Sequence, residues 1–265
     1  MHTRTAVRLV LLPALVVILA APTARAQTKP FEPTVGQAGK DVVWVPTPEA
    51  LVEKMLDLAQ VTPQDLVIDL GSGDGRTVIA AATRGATAIG VEYNPDMVDL
   101  AQGKAKAAGV SAKATIVRAD LFEYDFSKAQ VVTMFLLPTI NLRLRPQVLE
   151  MKPGTRIVSN TFTMDDWQAD QTETIPNCTS WCTALLWIVP ARVDGAWQVG
   201  GDTLTIDQQY QRFTGRLGNT VITEGALNGA EISFMAGNRT YTGRVDGNGI
   251  SGTISGGGTW KATKR

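Results

Sequence analysis

Residues Val67-Ile68-Asp69-Leu70-Gly71-Ser72-Gly73-Asp74-Gly75-Arg76 are followed by an alanine-rich run at 77–82. The apolar residues 66–70 predict a buried strand, and the alanine-rich run predicts the start of a helix. Between them, a Gly-x-Gly-x-Gly turn lets the backbone approach a ligand closely, because no Cβ stands in the way. This strand–loop–helix order is typical of a nucleotide-cofactor loop in a parallel α/β sheet.

The spacing of the glycines and the charges beside them indicate which cofactor is bound. A dinucleotide loop has the pattern Gly-x-Gly-x-x-Gly/Ala, whereas here Arg76 stands where the helix-packing glycine is expected. The carboxylates of Asp69 and Asp74 would repel a pyrophosphate and attract a cation, such as the ammonium and sulfonium of S-adenosylmethionine. The expected contacts with this cofactor in the loop are Asp69, Gly71, Ser72, Gly73, Asp74 and Gly75.

Two further acidic residues end later strands. The run 86–92 ends in Glu92, about twenty residues after Gly71, the spacing at which a carboxylate accepts hydrogen bonds from ribose hydroxyls. The run 114–120 predicts a strand ending in Asp120, placed to accept from an adenine amino group. One such acid alone is often a helix cap or turn former, but three at successive strand ends predict one cofactor site. Asn94 and Leu121 are the remaining expected contacts.

Together these motifs resemble the class I S-adenosylmethionine methyltransferases. The residues that carry the resemblance are 69–76, 90–95, Pro138, 156–159, Phe162 and Asp166-Trp167. Within that class, the chain is most similar to the lysine methyltransferases that act on the ATP synthase c-subunit and the adenine nucleotide translocator. The resemblance covers about residues 44–170. It implies an α/β fold with a doubly wound, Rossmann-like seven-stranded sheet, S-adenosylmethionine as methyl donor, and a protein lysine as candidate acceptor.

Candidate acceptor-site residues come from the ends of the fourth and fifth strands. They are Pro138, Asn141, Asp166 and Trp167. Trp167 would offer an aromatic wall for an alkylammonium, although Asp166-Trp167 is equally well interpreted as a helix cap beside a packing aromatic residue. The chain's one histidine is His2, inside the leader described next, so we expect no histidine-based triad and no metal site. No catalytic base is assigned.

The N-terminal residues have the pattern of a secretory signal peptide, residues 1–26. Arg4 and Arg8 precede an apolar core at 9–21, and a small-residue cleavage motif ends before Gln27. We therefore expect an exported, periplasmic protein, with an uncleaved membrane anchor as the alternative. Because S-adenosylmethionine is made in the cytosol, three explanations stay open: an anchor leaves the domain inside, the donor reaches the outside, or the fold has been reused.

The charge balance of the chain limits its possible partners. The chain has 25 basic and 25 acidic residues, and without the three leader arginines 22 basic residues face 25 acidic ones. This balance predicts a protein or small-molecule acceptor and no nucleic-acid partner, with membrane contact only through an uncleaved leader.

The alternatives to a lysine methyltransferase are a small-molecule methyltransferase and an exported, non-catalytic module that binds a nucleoside or a protein.

The remaining segments suggest a second module. Residues 27–43 are interpreted as an extended lead-in, 44–190 as the methyltransferase domain and 191–265 as a small antiparallel β module, a sandwich or barrel that docks or stabilises. The similar runs 195–197 and 258–260 are expected to pair at its seam. Cys178 and Cys182 are expected to form a disulfide in the turn of an antiparallel pair at the sheet edge.

Overall fold

The computed structural model describes His2 and residues 31–265, so the predicted signal peptide lies outside the described residues except for His2. Within this described part, none of the helices has the length and apolar character needed to cross a membrane. Residues Pro33–Arg265 form one compact unit, which contains a seven-stranded sheet and a closed barrel. The expected α/β sheet and the expected small β module are therefore both present.

The first half of this unit is built on a mixed sheet. Its strands are β1 (Leu66–Leu70), β2 (Thr87–Glu92), β3 (Ala114–Arg118), β4 (Val131–Met134), β5 (Arg156–Asn160), β6 (Gln171–Thr174) and β7 (Thr183–Ile188). Their spatial order is β3-β2-β1-β4-β5-β7-β6. Strands β1 to β5 are parallel to one another, whereas β7 runs antiparallel to β5 and β6. The order reverses between β1 and β4, which is the switch point where such sheets bind ligands.

Among the residues that the structure describes, four helices accompany the sheet: α1 (Glu49–Leu58), α2 (Arg76–Thr83), α3 (Pro95–Ala107) and α4 (Pro138–Leu149). Helix α3 begins at a proline because Asn94 caps it, its side chain accepting from the amide of Asp96. Helix α1 has no side-chain cap at its N-terminus. Pro48 occupies the cap, and the Thr47 hydroxyl instead accepts a hydrogen bond from the amide of Asn160.

The central strand shows why the sheet has helices on both faces. Val67 belongs to the core that α1, α2 and α3 cover, whereas Ile68 and Leu70 belong to the opposite core, which α4 covers. Successive side chains of a strand point to opposite faces, so a strand with apolar residues at nearly every position must be buried on both. Asp69 lies next to the last residue of β1, so its side chain is held near the carboxyl end of this strand.

Gly75 corrects one expectation about the loop. With Arg76 in place of the last glycine of the dinucleotide pattern, the sequence indicates no close packing between the loop and its neighbours. In the structure Gly75 itself makes that packing: a Cβ there would lie 2.9 Å from the Cβ of Ala101 on α3. Gly75 also has φ +79°, a left-handed conformation in which a side chain is strained. The third glycine therefore packs against α3, one residue earlier than in the dinucleotide pattern.

The C-terminal module is a closed antiparallel barrel of eight strands. They are β8 (Gly195–Val199), β9 (Asp202–Gln209), β10 (Arg212–Leu217), β11 (Thr220–Asn228), β12 (Glu231–Ala236), β13 (Arg239–Asp246), β14 (Gly249–Ile254) and β15 (Thr259–Lys264). Strands β8 and β15, which contain the two similar runs, pair at the seam as expected, but Trp197 lies opposite Lys264, so the runs 195–197 and 258–260 do not face each other. The Phe234 ring contacts Phe213 and Trp260 in the interior, and closure leaves no unpaired edge.

The disulfide predicted from the two cysteines is also confirmed. Cys178 and Cys182 are bonded, with their Cα atoms 5.8 Å apart. They lie in the turn between β6 and β7, whose ends pair at Thr174 and Thr183. The crosslink therefore closes the turn of the antiparallel pair at the edge of the sheet.

Candidate functional site: an acidic pocket at the carboxyl ends of the strands

One pocket opens at the carboxyl ends of β1, β2 and β4, and it encloses about 1000 Å³, part of it open to solvent. The three acids at the strand ends, Asp69, Glu92 and Asp120, all line it. Of the other expected cofactor contacts, the pocket lining includes Gly71, Ser72, Gly73, Asp74, Asn94 and Leu121 but not Gly75. Convergence at one edge follows from the parallel order, because these strands all end on the same side of the sheet.

The glycine loop is held against β2 by its own backbone. The amides of Gly71 and Ser72 both donate to the carbonyl of Val91, at 2.9 and 3.0 Å. Gly73 has φ +53°, and a Cβ there would lie 2.7 Å from Nε1 of Trp44. The loop can therefore come this close to its surroundings only with glycine at that position. The Ser72 side chain packs over Gly90, so its hydroxyl faces the sheet.

Glu92 ties the loop to the next strand. One of its carboxylate oxygens accepts from the amide of Gly73 and the other from the amide of Asn94, both at 2.9 Å. Each oxygen keeps a second lone pair directed away from its amide partner. The carboxylate is thus fixed in orientation and can still accept hydrogen bonds from a pair of neighbouring hydroxyls, as on a ribose.

Asp69 is a buried carboxyl, and no cation among the described residues pairs with it. It accepts a 2.6 Å hydrogen bond from the hydroxyl of Thr133 on β4, and none of the salt bridges in the described part of the chain involves it. Burial raises the pKa of Asp69 to about 7, and the nearby charges of Asp74 and Glu92 add to the effect. A positive charge in the pocket would compensate this carboxylate, so the site fits a cationic ligand.

Asp74 has a different role from the one its position in the loop indicates. Its carboxylate is buried between Arg76 at 2.8 Å and Lys104 of α3 at 2.7 Å. Burial opposes ionisation, but these two hydrogen-bonded cations outweigh it and lower the pKa of Asp74 to about 2. Its charge is therefore already neutralised by the protein, and Asp74 joins the loop to α3 instead of attracting a ligand.

Asp120 lies at the far side of the pocket. One carboxylate oxygen accepts from the amide of Phe122, and the other pairs with the ammonium of Lys40 at 2.9 Å. The backbone hydrogen bond, followed by Lys40, holds the pKa of Asp120 below its usual range. The carboxylate predicted to accept from an adenine amino group is therefore already paired with Lys40.

Residues of the lead-in form one side of the pocket, which was not expected from the sequence. Residues 37–47 line the pocket, so its lining begins before residue 44, where we placed the start of the domain. Trp44 is fixed by backbone hydrogen bonds, donating to Gln37 and accepting from Gly36, and Lys40 lies 5.3 Å from the ring centre of Tyr93. The apolar run 42–45, which ends four positions before the start of α1, was the available signal in the sequence.

None of the expected acceptor residues Pro138, Asn141, Asp166 and Trp167 lines this pocket. Pro138 opens α4. Asn141 is buried, and its amide donates to the carbonyls of Phe162 and Thr163, so it fixes the loop after β5. These two positions therefore build the edge of the sheet beside the pocket without facing into it.

Asp166 and Trp167 face the barrel instead. The Tyr210 hydroxyl donates to Asp166, which also pairs with Arg145, and the Trp167 ring stacks on Tyr210 with centroids 5.6 Å apart. Trp167 is fully buried and also contacts Trp187. The expectation that Trp167 forms an aromatic wall for an alkylammonium is thus corrected: the ring packs in the core that joins the sheet to the barrel.

The sheet order, the glycine loop after β1 and the acidic pocket are those of an S-adenosylmethionine-dependent methyltransferase. Residues 69–171 match the family model described as the ANTKMT methyltransferase domain. A protein-lysine N-methyltransferase of Saccharolobus islandicus is 46% identical over 129 residues, which is 48% of this chain and 80% of that protein. The chain belongs to this methyltransferase family.

Two further comparisons agree on the domain and name different acceptors. The ATP synthase c-subunit lysine N-methyltransferase of Mus musculus is 35% identical over 49% of this chain, which spans about half (52%) of that relative. A solved structure described as an RNA methyltransferase from Salinibacter ruber, in complex with S-adenosyl-L-homocysteine, is 44% identical with a TM-score of 0.53. That match covers 56% of this chain and 96% of the other.

Proposed function

We propose that this protein transfers a methyl group from S-adenosylmethionine to the side-chain nitrogen of a protein lysine. The observation that supports the donor site most directly is Asp69, a buried carboxyl at the pocket that pairs with no cation of the described residues. The names of the Saccharolobus and mouse relatives support lysine as the acceptor. The Salinibacter structure, with bound S-adenosyl-L-homocysteine in its description, supports the choice of cofactor.

Different residues of the pocket would contact different parts of the donor. Asp69 would balance its positive charge, Glu92 would accept from the ribose hydroxyls, and Asp120 would accept from the adenine amino group. The loop at Gly71 and Gly73 would let the backbone lie against the ligand. When bound, S-adenosylmethionine would supply a methyl group whose carbon a neutral amine can attack in line, so that a C–N bond forms as the C–S bond breaks and S-adenosyl-L-homocysteine leaves.

The protein would orient the acceptor side chain and shield it from water. Met134, Phe135 and Leu136 line the pocket at the end of β4, and they present apolar surface to an incoming side chain. Loss of hydration lowers the pKa of a lysine ammonium, which must lose its proton before its nitrogen can attack. Holding the nitrogen in line with the methyl group lowers the activation free energy mainly through orientation.

Isothermal titration of the full chain with S-adenosylmethionine tests the donor site. We expect saturable binding, at least tenfold weaker in Asp69→Asn, because the variant loses a charge-assisted contact. Asp207→Asn on the barrel surface is the matched control and should bind like the wild type. Absence of binding to the wild type at millimolar ligand would overturn the proposal.

Incubation with a methyl-labelled donor and fractionated cell extract tests the acceptor. We expect protease-sensitive label that is recovered as methyllysine after acid hydrolysis. Label that is removed by ribonuclease would favour an RNA acceptor, and label in low-mass extract would favour a small-molecule methyltransferase. Saturable donor binding with no label in any fraction would favour a non-catalytic binding module. Each of these three results rejects lysine methylation.

We also propose that the protein acts after export. The leader pattern at 1–26 and the disulfide between Cys178 and Cys182 support this, because disulfides persist in oxidising compartments. Fractionation of the native cells should find the chain in the periplasm, beginning at Gln27. Recovery of the uncleaved chain in the membrane fraction would favour the anchor instead.

A further inference from the structure

Three aromatic side chains meet at the rim of the pocket, and two of them, Phe162 and Trp181, do not line it. Phe135 follows β4, Phe162 lies two residues after β5, and Trp181 lies two residues before β7. Because β4, β5 and β7 are neighbours in the sheet, these positions fall at one edge. We call the three residues the aromatic wall.

The rings of the aromatic wall touch one another. Phe135 and Phe162 are stacked with centroids 5.9 Å apart, and Trp181 lies 5.5 Å from Phe135 and 5.3 Å from Phe162. At these distances no ligand fits between the rings. Trp181 is 38% exposed, however, so a ligand can lie across its outer surface.

The aromatic wall is continuous with the pocket through Phe135, which belongs to both. Glu92 ends β2 and Asp120 follows β3, and both of these strands lie on one side of β1. The aromatic wall lies on the other side of β1, at the ends of β4, β5 and β7. A donor whose adenosine is held by those two acids would therefore have its methyl end toward β4. A side chain approaching that end would pass along the wall.

Trp181 lies inside the short ring that the disulfide closes. Cys178 and Cys182 close a five-residue ring that includes Trp181, whose φ is +57°. A left-handed conformation is unfavourable for a residue with a Cβ, so the surrounding structure must hold it. The loop carrying Phe162 is held separately: its carbonyl accepts from the hydroxyl of Ser159, and the Thr161 amide donates to Thr183.

We propose that the aromatic wall binds the alkylammonium group of the acceptor, with the disulfide keeping Trp181 in position. The inference rests on the proposed lysine acceptor and names the surface by which its side chain reaches the donor pocket. A lysine ammonium and its mono- and dimethylated products are all cations, and indole is the aromatic ring that attracts cations most strongly. The apolar faces of Phe135 and Phe162 would contact the methylene groups of the side chain.

The test uses a probe that needs no identified acceptor. The full chain, labelled with ¹⁵N, is titrated with choline, and the indole N–H signals of its tryptophans are followed by NMR. The Trp181 signal is assigned as the one that disappears in Trp181→Phe. A parallel titration uses 3,3-dimethyl-1-butanol, which has the same shape without the charge.

We expect choline to shift the Trp181 signal in a saturable way, with an affinity about threefold or more above that of the neutral alcohol. Reduction with dithiothreitol, or the double variant Cys178→Ser and Cys182→Ser, should weaken choline binding. Val221→Ala, at an exposed barrel position, is the control and should leave it unchanged. Equal affinity for both probes, or no shift of Trp181 by choline, overturns the binding site; unchanged affinity after reduction overturns the role of the disulfide.

Failure of this inference is distinguishable from failure of the proposed function. Trp181→Ala should bind S-adenosylmethionine like the wild type, because Trp181 does not line the donor pocket. A wild type that binds choline at Trp181 but not S-adenosylmethionine would reject the methyltransferase proposal alone. A wild type that binds the donor and methylates lysine while Trp181 ignores choline would reject the aromatic wall alone.

Discussion

The hydroxyl of Thr133 on β4 donates a 2.6 Å hydrogen bond to the buried carboxyl of Asp69 on β1. The two residues are register partners in neighbouring parallel strands at the switch point of the sheet. This hydrogen bond fixes the direction of the carboxyl but brings no positive charge. The hydrogen bond does not offset the cost of burial, so the ionised state of this carboxyl is less favourable in the folded chain than in water.

Replacing Asp69 by Asn should stabilise the protein at high pH. Folding raises the pKa of Asp69 from 3.8 to about 7. The folded state thus binds this proton more tightly than the unfolded state, and the resulting stability is lost as pH rises toward the folded value. Because Asn resembles the protonated carboxyl, Asp69→Asn should match the wild type near pH 4 and exceed it at pH 8 by on the order of 4 kcal/mol.

Urea unfolding of both proteins across this pH range gives the comparison. Asp207→Asn, an exposed carboxylate on the barrel, serves as the control and should follow the wild type at every pH. A constant difference between Asp69→Asn and the wild type from pH 4 to pH 8 would contradict the assigned pKa.

Binding of the cationic donor should release a proton from Asp69. A positive charge beside the carboxyl favours its ionised form and lowers its pKa from about 7. At pH 6 the free protein is mostly protonated there, so affinity should increase with pH and level off above pH 7. Calorimetry in buffers of different ionisation enthalpy measures the number of protons released on binding. Subtracting the number for Asp69→Asn from that for the wild type removes the contribution of the donor's own titration. Identical proton release by the two proteins would exclude Asp69 as its source.

Replacing Lys40 by Ala should tighten donor binding by a factor of less than about ten. Its ammonium pairs with the Asp120 carboxylate at 2.9 Å and adds a positive charge to a pocket for a cation. The variant would free an acceptor oxygen and remove a repulsion, so the dissociation constant should fall. Lys40→Arg keeps the charge and should bind like the wild type. Weaker binding by Lys40→Ala would mean that Lys40 helps to close the pocket over the donor.

Replacing Trp167 should affect stability and not binding. Its side chain is fully buried between Trp187 and Tyr210. Trp167→Ala should therefore lower the free energy of unfolding by roughly 3–5 kcal/mol through loss of buried surface and creation of a cavity. The milder Trp167→Phe should leave the donor dissociation constant and the choline shift of Trp181 unchanged. A lost choline shift in a stably folded Trp167→Phe would restore the acceptor role first expected of this residue.

The donor side of the pocket was largely predictable because its signals are local. Asp69 and Glu92 each stand at the end of an apolar run, and parallel strands bring such ends to one edge. The acceptor side of the pocket was not predictable, because it depends on the direction of side chains in the loops that follow or precede the strands. Trp167 turns into the core against Tyr210, whereas Trp181, interpreted only as part of a cysteine-bearing turn, lies beside the pocket.

The sequence by itself determined the sheet, the glycine loop, the acidic strand ends and the disulfide, since each follows from hydrophobic periodicity or short-range spacing. Only the tertiary structure decided which acid is free to meet a cation. Lys104 lies 30 residues from Asp74 in the chain and yet neutralises it, while no cation of the described chain pairs with Asp69. The electrostatic state of a carboxyl depends on distant segments that pack against it, and local spacing carries no information about those partners.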